Sequence, residues 1–144
     1  MENQFAVTNG AFSYPLSLQQ LISKLVNNSL PAAHEKNTKL LNEIGQGIVL
    51  EATMKKTITL INDLLNTVVA NSRNGEIHIS AERHRGQVIL KIQERNNYNG
   101  YALSSSIGTL EPDAVSAGGY LSMSSQQKIV TTICFSFPCH QLAA

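Results

Sequence analysis

A change of hydrophobic rhythm at Gly75 constrains this chain most. Before it, Met54, Ile58, Ile61, Leu65 and Val68 recur every three or four residues, the spacing that lines side chains along one stripe of an α-helix. After it, Ile77 and Ile79, then Val88, Leu90 and Ile92, alternate with polar neighbours, as strands with one buried face do. An amphipathic helix running straight into a hairpin that turns at His84-Arg85-Gly86 calls for helices laid on one face of a sheet. Neither a helical bundle nor a closed barrel fits that order.

The flanks extend the pattern. Ser17, with Gln20 three residues on, makes a capping box, and Leu18, Leu21, Ile22, Leu25 and Val26 follow at helical spacing. A helix is expected from Ser17, kinked or ended by Pro31, with another turn over 32–36 before Asn37. Lys39 to Ile44 and Ile48 to Glu51 read as two short strands separated by Gly45-Gln46-Gly47, and the central helix is expected from Ala52 to about Ser72. Ser104 to Ala117 reads as a weak helix interrupted by Gly108 and Pro112. Tyr120 to Ser124 and Lys128 to Phe137 read as a closing hairpin after Gly118-Gly119. The fold class is α+β, a two-layer sandwich.

A chain of 144 residues reads as one domain, residues 1–144, and is long enough to bury roughly two-thirds of its unfolded surface. Its net charge of +1 supplies no field for nucleic acid or an anionic membrane, and Arg83-His84-Arg85 reads as a solvated hairpin tip. No apolar run approaches the ~20 residues that span a bilayer, and Met1-Glu2-Asn3-Gln4 does not open a signal peptide. A cytoplasmic protein is expected, with Cys134 and Cys139 as reduced thiols. His78, His84 and His140 lack metal-ligand spacing, and Cys139-His140 is adjacent rather than spaced for one zinc ion.

Candidate chemistry lies on the central helix. In Asn62-Asp63-Leu64-Leu65-Asn66-Thr67 the two asparagines are four residues apart, so they are neighbours on one flank of the apolar stripe. This segment resembles the N box of histidine-kinase ATPase domains. Leu18-Gln19-Gln20-Leu21-Ile22 is similar to that family's opening helix, and Gly118-Gly119-Tyr120-Leu121 to the double glycine before its penultimate strand. Thr131-Thr132-Ile133-Cys134-Phe135-Ser136-Phe137-Pro138 is similar to its closing strand. The match runs from about residue 18 to residue 138.

The resemblance implies the sandwich shared by histidine kinases, gyrase-type ATPases and heat-shock chaperones, with a mixed sheet covered by helices on one face. It assigns Asn62, Asn66, Glu94, Asn96 and Thr131 to a nucleotide site. Asn66 would hold magnesium, since an amide oxygen ligates a hard cation without adding charge beside the triphosphate. Glu94 would accept from the adenine amino group, and Thr131 would reach adenine through water.

Departures from the family accompany these matches. Glu94-Arg95-Asn96-Asn97-Tyr98 stands where the family has Asp-x-Gly-x-Gly, so Asn96 and Tyr98 put side chains where glycines let backbone approach the nucleotide. Only Tyr101-Ala102-Leu103 separates Gly100 from Ser104-Ser105-Ser106, the stretch matched to the second glycine box, so the phosphate-wrapping lid is expected to be missing. Asn62 stands where some relatives place a glutamate base, and a neutral amide cannot take a proton from water.

The expectation is a degenerate kinase-like domain with no catalytic residue, a pseudokinase acting as a regulatory or interaction module in bacterial two-component signalling. No cofactor is expected beyond ATP and magnesium at low affinity, and the partner is expected to be a protein, a sensor kinase or a response regulator. Two alternatives stand beside it: an active ATP-binding kinase or ATPase domain using Asn66, and a histidine phosphotransfer protein on a degenerate kinase body. His34-Glu35-Lys36-Asn37-Thr38 superficially resembles a phosphoacceptor box but falls inside the matched region rather than on a hairpin before it.

Overall fold

The computed structural model describes residues 15–96, 100–126 and 130–139. Short β1 (Leu16–Ser17) leads into α1 (Leu18–Glu35), where the Ser17 hydroxyl caps the helix by accepting from the Gln20 N–H at 3.3 Å. Pro31 neither ends nor divides α1. The helix stops instead at Asn37, whose φ of 53° is a left-handed conformation that asparagine tolerates.

Strands β2 (Lys39–Asn42) and β3 (Val49–Leu50) fall where the sequence places short strands, yet they do not pair with each other. Strand β3 runs antiparallel to β1, and β2 lies parallel to β4 (Glu76–His84) with Leu40 opposite Ile77. A parallel neighbour has to be reached by a crossover. Here that crossover is α2 (Lys55–Ala70), entered through a 3-10 turn over Ala52–Met54. On α2, Ile58, Ile61, Leu65 and Val68 are buried as their spacing predicts, and Leu60, Leu64 and Val69 widen the stripe. Fully burying such a side chain contributes roughly 1.5–3 kcal/mol.

Strand β4 forms a hairpin with β5 (Gln87–Arg95). The single weak helix expected from Ser104 to Ala117 is instead two, α3 (Gly100–Gly108) and α4 (Glu111–Ser116). Helix α3 begins four residues earlier because Leu103 and Ile107, one turn apart, are both drawn into the core. Pro112 sits in the first turn of α4, where its missing N–H is harmless. The chain closes with β6 (Tyr120–Gln126) and β7 (Val130–Pro138). A side chain at Gly119 would collide with the Ser136 carbonyl and the Phe135 ring, so the second glycine lets β6 approach β7.

The sheet has the order β2-β4-β5-β7-β6 and is mixed, with only β2 parallel. Ile77, Ile79, Val88, Leu90, Ile92, Ile133, Phe135 and Phe137 form one fully covered face. His78, Ser80, Gln93, Thr132 and Cys134 on the other face are only partly covered. This is the two-layer α+β sandwich. Cys134 and Cys139 are free thiols. No helix among the described residues is long and apolar enough to cross a membrane.

Candidate functional site

Alternation along β5 puts Glu94 on the covered face, in step with Val88, Leu90 and Ile92. Strand register then sets Ile77, Glu94, Thr131 and Ser125 side by side across β4, β5, β7 and β6. The neighbouring row is apolar, Ile79, Ile92, Ile133 and Met123. The covered face thus ends in a polar row.

Glu94 is 0% exposed and Thr131 2%. The Thr131 and Ser125 hydroxyls lie 3.5 Å apart, but neither Glu94 carboxyl oxygen has a hydrogen-bond partner among the described residues. Burial pushes the Glu94 pKa up to about 7, with a small opposing pull from the Ser72 hydroxyl. That hydroxyl directs its proton to the Val68 carbonyl, 2.6 Å away, so it does not donate to the carboxyl. Gly75 closes the other side: a Cβ there would stand 2.9 Å from Glu94 Oε2 and inside contact distance of the Arg95 carbonyl. A carboxyl held this way near neutrality can either accept from or donate to a ligand that reaches it.

Asn62 and Asn66 share one flank of α2, with Asn62 half-buried and Asn66 exposed, and neither makes a hydrogen bond among the described residues. Asn96, at φ 66°, is exposed and turns away to line a cavity of about 570 Å³ with Asn37, Asn74 and Gly75, between the end of α1 and β2. The structure therefore brings Glu94 and Thr131 together, keeps Asn62 and Asn66 together on a separate flank, and sends Asn96 to a third place.

Ser104, Ser105 and Ser106, matched to a glycine-rich loop, lie inside α3, and the chain passes from β5 to α3 through residues 96–99 alone. Tyr98 and His140 lie outside the described residues. His34 is exposed in the last turn of α1. Asp63, next to the asparagine pair, lines a different hollow with Asp113; burial first, then that neighbouring carboxylate, raises its pKa. No group of three or more His, Cys, Asp and Glu side chains placed to hold a metal ion occurs among the described residues.

Ser125 and Ser72 belong to the polar end of the covered face and escaped the sequence reading. Ser125 lies one residue beyond the expected strand and is placed by register with Thr131. Ser72 is a helix-end serine whose burial follows only from packing.

No protein-family model matches the sequence. A search of curated proteins finds no significant match either. Solved structures do match. A histidine kinase of Acinetobacter baumannii, AdeS, superposes with a TM-score of 0.69 at 12% identity, over 92% of this chain and 72% of that one. The catalytic domain of histidine kinase ThkA gives 0.64 at 17% identity, over 85% of this chain and 92% of that one. ThkA in complex with response regulator protein TrrA gives 0.61 at 18% identity, over 87% of this chain and 41% of that one. The fold is that of histidine kinase-like ATPase domains.

Proposed function

We propose that this chain is a regulatory or interaction module of two-component signalling, built on the kinase ATPase fold and binding nucleotide weakly or not at all. The observation that carries the reading is the passage from β5 directly into α3 through residues 96–99. Four residues do not form a loop that wraps a triphosphate with backbone N–H groups. Asn66 is exposed and its neighbour Asn62 is another neutral amide, and two such oxygens with no carboxylate between them hold magnesium weakly against water. Asn62 supplies no base.

A protein partner, a response regulator or a sensor kinase, belongs to this reading, and the ThkA structure holds a response regulator. Soluble, cytoplasmic action is part of the same proposal.

One observation favours the rival reading of an ATP-binding kinase domain: the unpartnered Glu94 beside Thr131, a pair suited to an adenine edge. Calorimetric titration separates the two. Mg-ATP is expected to bind at about millimolar Kd or weaker, roughly 4 kcal/mol, and adenosine equally well. Micromolar, magnesium-dependent binding of ATP that Asn66→Ala abolishes would overturn the proposal.

A further inference from the structure

The main sheet ends, among the described residues, in a strand with no neighbour on its outer side. Strand β2 is the last in the order β2-β4-β5-β7-β6 and pairs with β4 alone. Its hydrogen bonds show which backbone groups are left over. Lys39 N–H donates to the Gly75 carbonyl at 2.9 Å and Glu43 N–H to the Ile79 carbonyl at 2.8 Å, so the odd-numbered residues point their peptide groups at β4. Strand alternation then turns the N–H and C=O groups of Leu40 and Asn42 outward. Such an edge is a template for another strand.

The groups already engaged decide what fits there. Thr38 N–H is taken by the Ala33 carbonyl at 2.9 Å and Ile44 N–H by Asn42 Oδ1 at 3.1 Å, so the open stretch is bounded at both ends. Laid antiparallel against a second copy of itself, the strand satisfies both open residues in one register, with Leu40 opposite the partner's Asn42 and Asn42 opposite the partner's Leu40. A register centred on Leu40 sets Asn42 against Thr38, and one centred on Asn42 sets Leu40 against Ile44. In both, the facing N–H is already spent.

The same register matches charge. Lys39 and Glu43, both exposed, fall opposite each other, and Leu41 faces its own copy on the two-fold axis. A lysine on an edge strand ordinarily discourages pairing, but directly opposite a glutamate it favours it. Glu43 is already oriented, because its Oε2 lies 2.8 Å from His78 Nδ1, and its Oε1 is left for the incoming ammonium. From the helix side, Asn42 Nδ2 anchors the strand by donating to the Gln19 carbonyl at 3.2 Å and to Ser23 Oγ at 2.9 Å. Leu30, 42% exposed, lines the cavity of about 570 Å³ together with Leu40 and Leu41, so the flank that a copy approaches is open and partly apolar. The opposite edge, β6, carries no charged residue and selects no register. We infer that β2 is a self-docking edge, which joins two copies of this chain by antiparallel pairing of Leu40 with Asn42 and sets Lys39 of each copy against Glu43 of the other.

The test is sedimentation equilibrium of the whole chain from micromolar to millimolar concentration, where a reversible dimer is expected. Lys39→Glu and Glu43→Lys, both at exposed positions, each set like charges against one another at both ends of the pairing, so each alone should weaken the dimer at least about tenfold. An equimolar mixture of the two variants should dimerise again, since every facing pair is then of opposite sign, a reciprocity that damage to the fold does not produce. Leu41→Cys should form a disulfide between copies under mild oxidation, with the unaltered chain as the control for Cys134 and Cys139. A chain that stays monomeric throughout, a dimer that both reversals leave intact, a mixture no more dimeric than its components, or a Leu41→Cys chain that cross-links no faster than the control would each overturn the inference. None of these outcomes bears on nucleotide binding, which the Mg-ATP titration measures separately.

Discussion

The two sides of the candidate nucleotide site are built in different ways. On the inner side, Glu94 and Thr131 are placed by strand register and buried, Glu94 fully so, while Ser125 continues the same row at its exposed rim. On the outer side, Asn66 projects from an exposed helix flank, and only residues 96–99 connect β5 to α3. Positions in a sheet register cannot shift without moving the core, whereas a connecting segment shortens freely. The proposed reading, a nucleobase place kept with few phosphate contacts, rests on that difference. The contrast makes a mechanical claim: changes on the inner side should disturb the whole fold, and changes on the outer side should not.

The largest effect should come from Leu65, one residue before Asn66 but 1% exposed. Leu65→Ala should lower unfolding stability by about 2–5 kcal/mol in urea titration, because a large core side chain is lost and its cavity only partly collapses. A small effect would mean that α2 is not seated on the sheet as described.

Glu94 should make stability depend on pH. Its folded pKa of about 7 lies above the ordinary value of 4.5, so the folded state holds the proton more tightly than the unfolded chain does. The stabilisation is complete below pH 4.5 and is lost as pH rises to about 7, by at most about 3 kcal/mol. Denaturant titrations at pH 5 and 7.5 should show this fall, and Glu94→Gln should flatten it. His78 pulls in the same direction but later. Its pKa is raised chiefly by the hydrogen bond to Glu76, so its contribution is lost only as pH rises beyond 6.5. Asp63, whose pKa burial also raises, acts in the same direction, so the part of the change between pH 5 and 6 that Glu94→Gln removes reports Glu94, and a profile the substitution leaves unaltered would show that the carboxyl is not sealed.

What was legible in the sequence follows the same division. The α2 stripe and the β4–β5 hairpin were readable because helix period and strand alternation are local properties of neighbouring residues. Leu40 gave no sign that β2 would cross to a parallel partner, since pairing with Ile77 depends on residues far along the chain. Helix α3 begins four residues before the expected start at Ser104 because Leu103 and Ile107 anchor it, and a single leucine ahead of three serines carries no periodicity of its own. Glu94 was found through its place in a resembling motif. That its carboxyl is unpartnered depends on Ser72 turning to Val68 and on Gly75 closing over it, neither of which has a sequence signature.

Gly75 tests how tightly the inner side is closed. Gly75→Ala would place a methyl group against the Arg95 carbonyl and 2.9 Å from Glu94 Oε2, and backbone cannot retreat as a flexible side chain can. A loss of about 1–3 kcal/mol is expected, the usual range for overpacking. A neutral substitution would show that the end of β5 is loose and would remove the distinction between the two sides.

The smallest effect should come from Asn66. The side chain is exposed and makes no hydrogen bond among the described residues, so truncation removes no packing and orphans no partner. Alanine is the better helix former, which favours Asn66→Ala by up to roughly 0.7 kcal/mol in a helix interior. Urea titration should therefore show a stability change within about 0.5 kcal/mol of zero or slightly favourable, in contrast to Leu65→Ala one residue away. A polar residue that gives up helix propensity without a structural return is either neutral surface or kept for a ligand. If the substitution instead destabilises as much as Leu65→Ala does, Asn66 is a structural residue, and neither magnesium nor a lost nucleotide explains its place on α2.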